Sequence, residues 1–331
     1  MKLSHRRQFL HLGASATALL AFPRIARAQA YPSRPITIIV PFPPGGPVDT
    51  IGRLVGEYIR VALGQSLIIE NVPGASGSVG TARVARAAPD GYTLGMGNWS
   101  SHVGSPAIYP VQFDILRDFE PIALLPGAPT LIVGRKSLPA SDLRELIAWL
   151  KANPGQATAG TVGAGSASHV SGIHFQNETG TRLQYVPYRG GGPLMQALVG
   201  GQIDIRVGAE ASQTLGYLRS GEIKAFAVLD RTRWAAAPNI PTADEAGVPG
   251  LHLSVWNGLW APKATSRDIT AKLNASIANA LADTAVRQRV TEVGFEIPER
   301  DMRTPEALAA FHRAETDKWW PIMKAANIKG E

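Results

Sequence analysis

The sequence predicts an α/β protein of two lobes, each built on a largely parallel sheet. Three observations predict it. Short apolar, β-rich runs alternate with amphipathic helical runs, glycine-rich turns sit where strands hand over to helices, and two proline- and glycine-rich clusters divide the chain.

Ile36–Val40 reads as a strand, and Val48, Ile51, Leu54, Val55, Tyr58, Ile59 and Ala62 then recur at helical spacing. Leu67–Asn71 is a second strand. A glycine-rich turn, Gly74 to Gly80, leads into a helix ending near Ala88, and Pro89-Asp90-Gly91 turns into a third strand, Tyr92–Gly97. Further strands are expected at Thr130–Val133, Ala157–Thr161, Leu183–Val186, Ile203–Val207 and Lys224–Val228. Ser141 is the expected N-cap of a helix reaching Ala152. Helices close the chain at Ser266–Leu281, Thr284–Val293 and Pro305–Ala326, with Pro305 suited to a first turn.

The clusters Pro121 to Pro129 and Pro238 to Pro262 read as boundaries. They place residues 31–131 and 255–331 in one lobe and 132–254 in the other. A chain that crosses twice between lobes makes a hinge and a cleft.

Residues 1–30 read as a twin-arginine export signal: Arg6-Arg7 before Phe9-Leu10, a weak apolar run from Leu12 to Phe22, and cleavage sites at Ala28 and Ala30. That apolar run is about half of the roughly 20 residues a membrane span needs. The segment holds five of the 33 Lys and Arg residues and none of the 26 acids, so 28 basic residues face 26 acidic ones afterwards, a net charge of +2. Nucleic-acid binding thereby loses its electrostatic support. With no cysteine, disulfides, thiol catalysis, Cys-ligated metals and a lipoprotein anchor are excluded. A soluble periplasmic protein is expected, held together by core burial.

Four strand-to-helix loops carry the functional reading. N–H groups in such loops lie at the positive end of a helix dipole, and glycine lets a ligand approach the backbone. The first contains Phe42, Pro43, Pro44, Gly45, Gly46 and Asp49, and Asp49 can accept from uncapped N–H groups. The second contains Asn98, Trp99, Ser100, Ser101 and His102, where the hydroxyls can bind a carboxylate or cap a helix. The third contains Gly163, Ala164, Gly165, Ser166 and His169. It lacks the third glycine and the downstream acid of a dinucleotide fingerprint, so anion binding is the better reading. The fourth contains Tyr188, Arg189 and Gly190; Arg189 can pair with a carboxylate or stand as a solvated charge. Two such crests facing across a hinge make a closing pocket for a small anion. Phe42, Trp99, Tyr188 and Trp256 suit stacking on an aromatic acid or packing in a lobe wall.

Several stretches resemble the extracytoplasmic receptors of tripartite tricarboxylate transporters, the Bug family. They are Pro41–Asp49, Asn71–Gly77, Pro89–Leu94, Val186–Gly190 and Asn239–Gly250, and the likeness runs in order over residues 31–331. The resemblance implies a type II periplasmic binding protein fold closing on a carboxylate or dicarboxylate, aromatic acids included, with delivery to membrane permease subunits. It implies ligand contacts from Phe42 to Asp49, Ser100 to His102, Gly163 to Ser166 with His169, and Tyr188 to Gly191. Trp99 and Arg206 depart from the pattern; Arg206 can read a second carboxylate, though pairing with Glu210 or Asp204 is the plainer expectation.

Catalysis is not expected. Ser166 and His169 share a face at a helix start, but no Gly-x-Ser-x-Gly elbow or orienting acid accompanies them. The histidines show no metal spacing, and neither cofactor nor metal is expected. The reading is a monomeric solute receptor feeding a permease. A receptor feeding a sensor is the alternative, and an exported hydrolase a more distant one.

Overall fold

The computed structural model describes residues 31–329; the export signal and cleavage site read from residues 1–30 lie outside the described residues. β1 (Ile36–Val40), helix α1 (Pro47–Leu63), β2 (Leu67–Asn71), α2 (Ser78–Ala85) and β3 (Thr93–Asn98) open the fold. β1 pairs in parallel with both β2 and β3. The spacing of Val48, Ile51, Val55 and Ile59 puts one face of α1 in the core, each such side chain contributing about 1.5–3 kcal/mol of burial. After β3 the chain makes a π-helical turn (Ser100–Gly104) and a short helix, α3 (Ser105–Ile108).

β4 (Phe119–Ala128) runs through Pro129 into β5 (Thr130–Arg135) of a second sheet. There follow α4 (Leu143–Ala152), β6 (Thr158–Thr161), α5 (Ala167–Thr179), β7 (Gln184–Pro187), α6 (Gly191–Val199), β8 (Ile205–Glu210), α7 (Ala211–Arg219) and β9 (Ile223–Val228). The chain returns as β10 (Val255–Pro262), then α8 (Arg267–Ala282), α9 (Thr284–Glu292) and α10 (Pro305–Ala325). The strand orders are β2-β1-β3-β10-β4 and β7-β6-β8-β5-β9. Both crossings are pinned: the Thr130 hydroxyl donates to the Leu253 carbonyl at 2.5 Å, and the Asn257 amide donates to the Pro126 carbonyl at 2.7 Å.

Three expectations need correction. The sheets are mixed, because β10 runs antiparallel to β3 and β4, and β5 antiparallel to β8 and β9. Strands β4 and β10 form within the two proline-rich clusters, where no strand was expected. Prolines are tolerated in β4 because it lies at a sheet edge and its pairing with β10 is interrupted by register shifts. The α4 cap is Asp142, whose side chain accepts from Glu145 N–H at 2.8 Å, while Ser141 donates to the Glu145 carboxylate from its N–H and its hydroxyl. Among the described residues no helix is long and apolar enough to cross a membrane.

β10 and α10 bury an aromatic cluster beneath β3. His102 stacks on Trp260 at 3.8 Å, and His312 bonds the His102 carbonyl at 2.8 Å. Burial, reinforced by His312, holds His102 well below the usual histidine range; burial likewise takes His312 down to about 4.

Replacing the α4 cap by Asp142→Ala is expected to cost about 1 kcal/mol in urea unfolding. The buried histidines make stability depend on acid. Both rings titrate near 6.5 when unfolded and lower when folded, so the unfolded chain binds more protons and stability falls as pH drops from about 6.5 towards 4. His312 alone should remove about 2 kcal/mol by pH 5. Urea midpoints at pH 7 and pH 5 measure this, and His312→Gln should narrow the difference.

Candidate functional site

The carboxyl ends of β1, β3, β7 and β8 face one another across the space between the two sheets. They enclose a cavity of about 270 Å³. Its walls are Phe42, Pro43, Pro44, Gly45, Gly46, Pro47 and Val48 after β1, and Asn98 and Ser100 at the end of β3. Opposite lie Val162, Gly190, Gly191, Gly192 and Pro193, with Arg206, Glu210 and Gln213 at β8 and α7. A space of about 490 Å³ adjoins it, sharing Phe42, Pro43, Val162 and Gly190 and adding Pro73–Gly77, Tyr188 and Arg189. Both are of the size small-molecule sites occupy. A void beside His102 and Trp260 holds about 10 Å³, room for no more than a water.

The helix starts around the larger-walled cavity share one property. Helices α4, α5, α8, α9 and α10 are capped by their own side chains: Asp142, Ser166, Ser266, Asp283 and Thr304. Helices α1, α2, α3, α6 and α7 have no side-chain cap; α1, α6 and α7 begin on the cavity wall at Gly46, Gly190 and Glu210, and α2 begins at Gly77 on the adjoining space. Uncapped first-turn N–H groups need an acceptor, and the dipole behind them favours a negative one; at α7 the Pro129 carbonyl takes the Ala211 N–H at 2.9 Å, leaving the next amides of that turn without a side-chain cap. Asn98 adds to this: its side-chain oxygen accepts from Ser100 N–H at 3.0 Å and Ser101 N–H at 3.3 Å, while its nitrogen has no protein acceptor among the described residues.

Asp49 accepts from a loop N–H, as its position suggested, but it lines neither space. It is buried, and its carboxylate accepts from Gly45 N–H, Arg53 and Asn71 at 2.9–3.0 Å. Burial works to raise its pKa, but these bonds outweigh it and hold the group below the usual range. Asp49 therefore stiffens the first loop and occupies the Gly45 amide.

The structure brings Phe42 through Gly46, Asn98, Ser100, Tyr188, Arg189 and Gly190 to the two spaces, and places the other expected residues elsewhere. Trp99 is fully buried, edge-on to Trp319 at 5.4 Å. Trp256 packs on Phe311 and His312 and donates to Glu315. Ser101 and His102 are buried and bond each other at 2.9 Å. These side chains carry large apolar surfaces or satisfied polar groups, and the core claims them. In the third loop only Val162 reaches the spaces. Ser166 caps α5 and donates to the Gly163 carbonyl at 2.7 Å, and His169 lies edge-on to Tyr185. Gly163, Ala164 and Gly165 instead seat this loop against the first sheet's loops: Ser76 donates to the Ala164 carbonyl at 2.7 Å, and Ser100 accepts from Ala167 N–H at 3.0 Å. Gly104 lies so close to the Gly165 carbonyl that a Cβ there would collide with backbone.

Gln213 is not singled out by the sequence; Pro47, Val48, Gly192 and Pro193 belong to the expected loops without being individually named as contacts, and Arg206 stands between reading a second carboxylate and pairing with Glu210 or Asp204. The available signal was a charged residue inside an apolar strand run. Arg206 does not pair with Asp204, which takes Arg135 at 2.8 Å, nor does it lie within 4.0 Å of Glu210. Its Nη1 donates to the Gln213 side-chain oxygen at 2.9 Å.

Comparison with known proteins agrees with this architecture. Residues 51–328 match the family model described as the tripartite tricarboxylate transporter family receptor. The "UPF0065 protein in the TAR-I ttuE-ttuC' intergenic region" of Agrobacterium vitis is 38% identical, over 96% of this chain and 91% of that one. Among solved structures, MatC (Rpa3494) from Rhodopseudomonas palustris with bound malate is 37% identical, with a TM-score of 0.84 over 88% of this chain and 99% of that one. Rpa4515 of R. palustris with adipate is 30% identical, with a TM-score of 0.85 over 90% and 99%. The chain thus has the periplasmic binding protein fold and belongs to the receptor family of the tripartite tricarboxylate transporters.

Proposed function

We propose that this receptor captures a small organic carboxylate between its two sheets and delivers it to the membrane subunits of a tripartite tricarboxylate transporter. The observation that carries this reading is the set of three uncapped helix N-termini that face one cavity from its two sides, in a chain whose helices of ten residues or more, α1 apart, cap themselves. Malate in MatC and adipate in Rpa4515 support a carboxylate as the anion.

One lobe, residues 31–131 and 255–331, carries the amides after β1 together with Asn98. The other, residues 132–254, carries Gly190–Pro193 and the β8 end. A ligand that bridges them favours the closed arrangement by its differential affinity for it. The protein acts as a monomer in the periplasm, exported through its twin-arginine signal and cleaved near Ala28 or Ala30. It binds without catalysis: the Ser166 hydroxyl donates to the Gly163 carbonyl and caps α5.

A thermal-shift screen of aliphatic and aromatic mono- and dicarboxylates tests the reading. A carboxylate at 100 times its Kd should stabilise by about 2.7 kcal/mol. Stabilisation by uncharged compounds alone would refute it. Gly104→Ala should hold the opposed loops apart and weaken carboxylate binding by about tenfold, about 1.4 kcal/mol, with unchanged far-ultraviolet circular dichroism.

A further inference from the structure

The far wall of the cavity holds two charged groups that the protein satisfies only in part. Arg206 is 2% exposed, in the central strand of its sheet, and its Nε has no partner. Glu210 stands at the end of the same strand, and its Oε2 is buried without a partner. Both line the cavity, yet they do not close into an ion pair with each other. Buried charges left unpaired are costly, and a costly pair on a ligand-cavity wall points to a ligand that completes it. The guanidinium is also deliberately aimed. Gln213 holds its Nη1, and Gly191 leaves room for Gln213, since a Cβ on Gly191 would collide with that carboxamide.

We propose that Arg206 and Glu210 form a dipolar subsite that selects an amino-substituted dicarboxylate. The inference rests on the carboxylate-receptor reading above. One ligand carboxylate takes the uncapped amides after β1. At the other end, the α-carboxylate meets Arg206 and the α-ammonium meets Glu210. A monocarboxylate leaves both groups unsatisfied. A plain dicarboxylate satisfies Arg206 but sets a second negative charge beside Glu210.

The charge balance separates these ligands by one proton. An α-ammonium brings the proton that Glu210 needs to share. With a plain dicarboxylate, Glu210 has to take one from solvent and donate it in a hydrogen bond. Burial raises the Glu210 carboxyl to about 7, with Arg206 opposing the rise, so the two cases diverge around neutral pH. Other charged groups on the elements packed against β8 are Arg135 on β5, His169, His174 and Glu178 on α5, and Arg219 on α7. Arg135 is engaged by Asp204, His174 faces Glu178, and the charge acting on Glu210 is Arg206. Arg206 itself stays charged throughout this range.

Isothermal titration at pH 6 and pH 8 tests the inference with L-aspartate, L-glutamate and L-α-aminoadipate against succinate, glutarate and adipate, with valerate as the monocarboxylate. For the chain length that fits, the amino acid should bind at least about tenfold tighter than the plain diacid at pH 8. From pH 6 to pH 8 the affinity for the plain diacid should fall about tenfold, following the protonated fraction of Glu210, while that for the amino acid does not fall. Glu210→Gln should abolish both the preference and the pH trend, with the ligand-free melting temperature maintained. Arg206→Met should reduce diacid and amino-diacid binding to the valerate level. Equal pH trends for the two series, tighter binding of plain diacids at pH 8, or an unchanged preference in Glu210→Gln would overturn the subsite and leave the receptor reading standing. Binding of none of these compounds nor of any other carboxylate would instead remove the receptor reading itself.

Discussion

The site depends on unsatisfied backbone polarity. A helix start leaves first-turn N–H groups without partners, and most long helices in this protein resolve that locally with Asp, Ser or Thr. Where α1, α6 and α7 start, glycine or a non-capping glutamate stands in the cap position instead. On the proposed reading, a ligand carboxylate is the acceptor for those amides. Proline in the first turn of α1 keeps the start rigid without competing for an acceptor, because it has no N–H.

The rest of the architecture brings these ends together. Parallel pairing of β1 with β2 and β3 puts their carboxyl ends on one crest, and β6 with β7 and β8 builds the facing one. Antiparallel β10 and β5 carry the chain between sheets, with Thr130 and Asn257 fixing the crossings. Contacts at Ser76–Ala164 and Ser100–Ala167 join the loops of both sheets beside the cavity. Apolar walls from Phe42, Pro43, Val48 and Val162 lower the local dielectric, which would strengthen amide contacts with the proposed anion.

Much of this was legible in the sequence, for identifiable reasons. β1 and β2 fall at the expected residues because their apolar runs end at a loop and at Pro73. The first and fourth loops were legible as cavity walls because glycine and proline declare backbone geometry directly. What escaped depends on tertiary context. β4 was hidden because prolines usually deny a strand, and an edge position tolerates them. Trp99, His102 and Trp256 were read as pocket residues from their loops, but the space beneath β10 and α10 takes aromatic rings into the core. Asp49 and Ser166 have the chemistry of ligand contacts and spend it on their own loops. Arg206 stood out as anomalous, but only the fold places it across from the first-loop amides.

The central claim is that peptide N–H groups from both sheets converge on one negative solute. A crystal structure of the protein with a bound dicarboxylate tests it most directly. The account predicts a ligand carboxylate about 2.9 Å from first-turn amide nitrogens of α1, with the helix starts of the second sheet contributing from the opposite side. A carboxylate bound away from those amides, or an uncharged molecule filling the cavity while the amides point elsewhere, would contradict it.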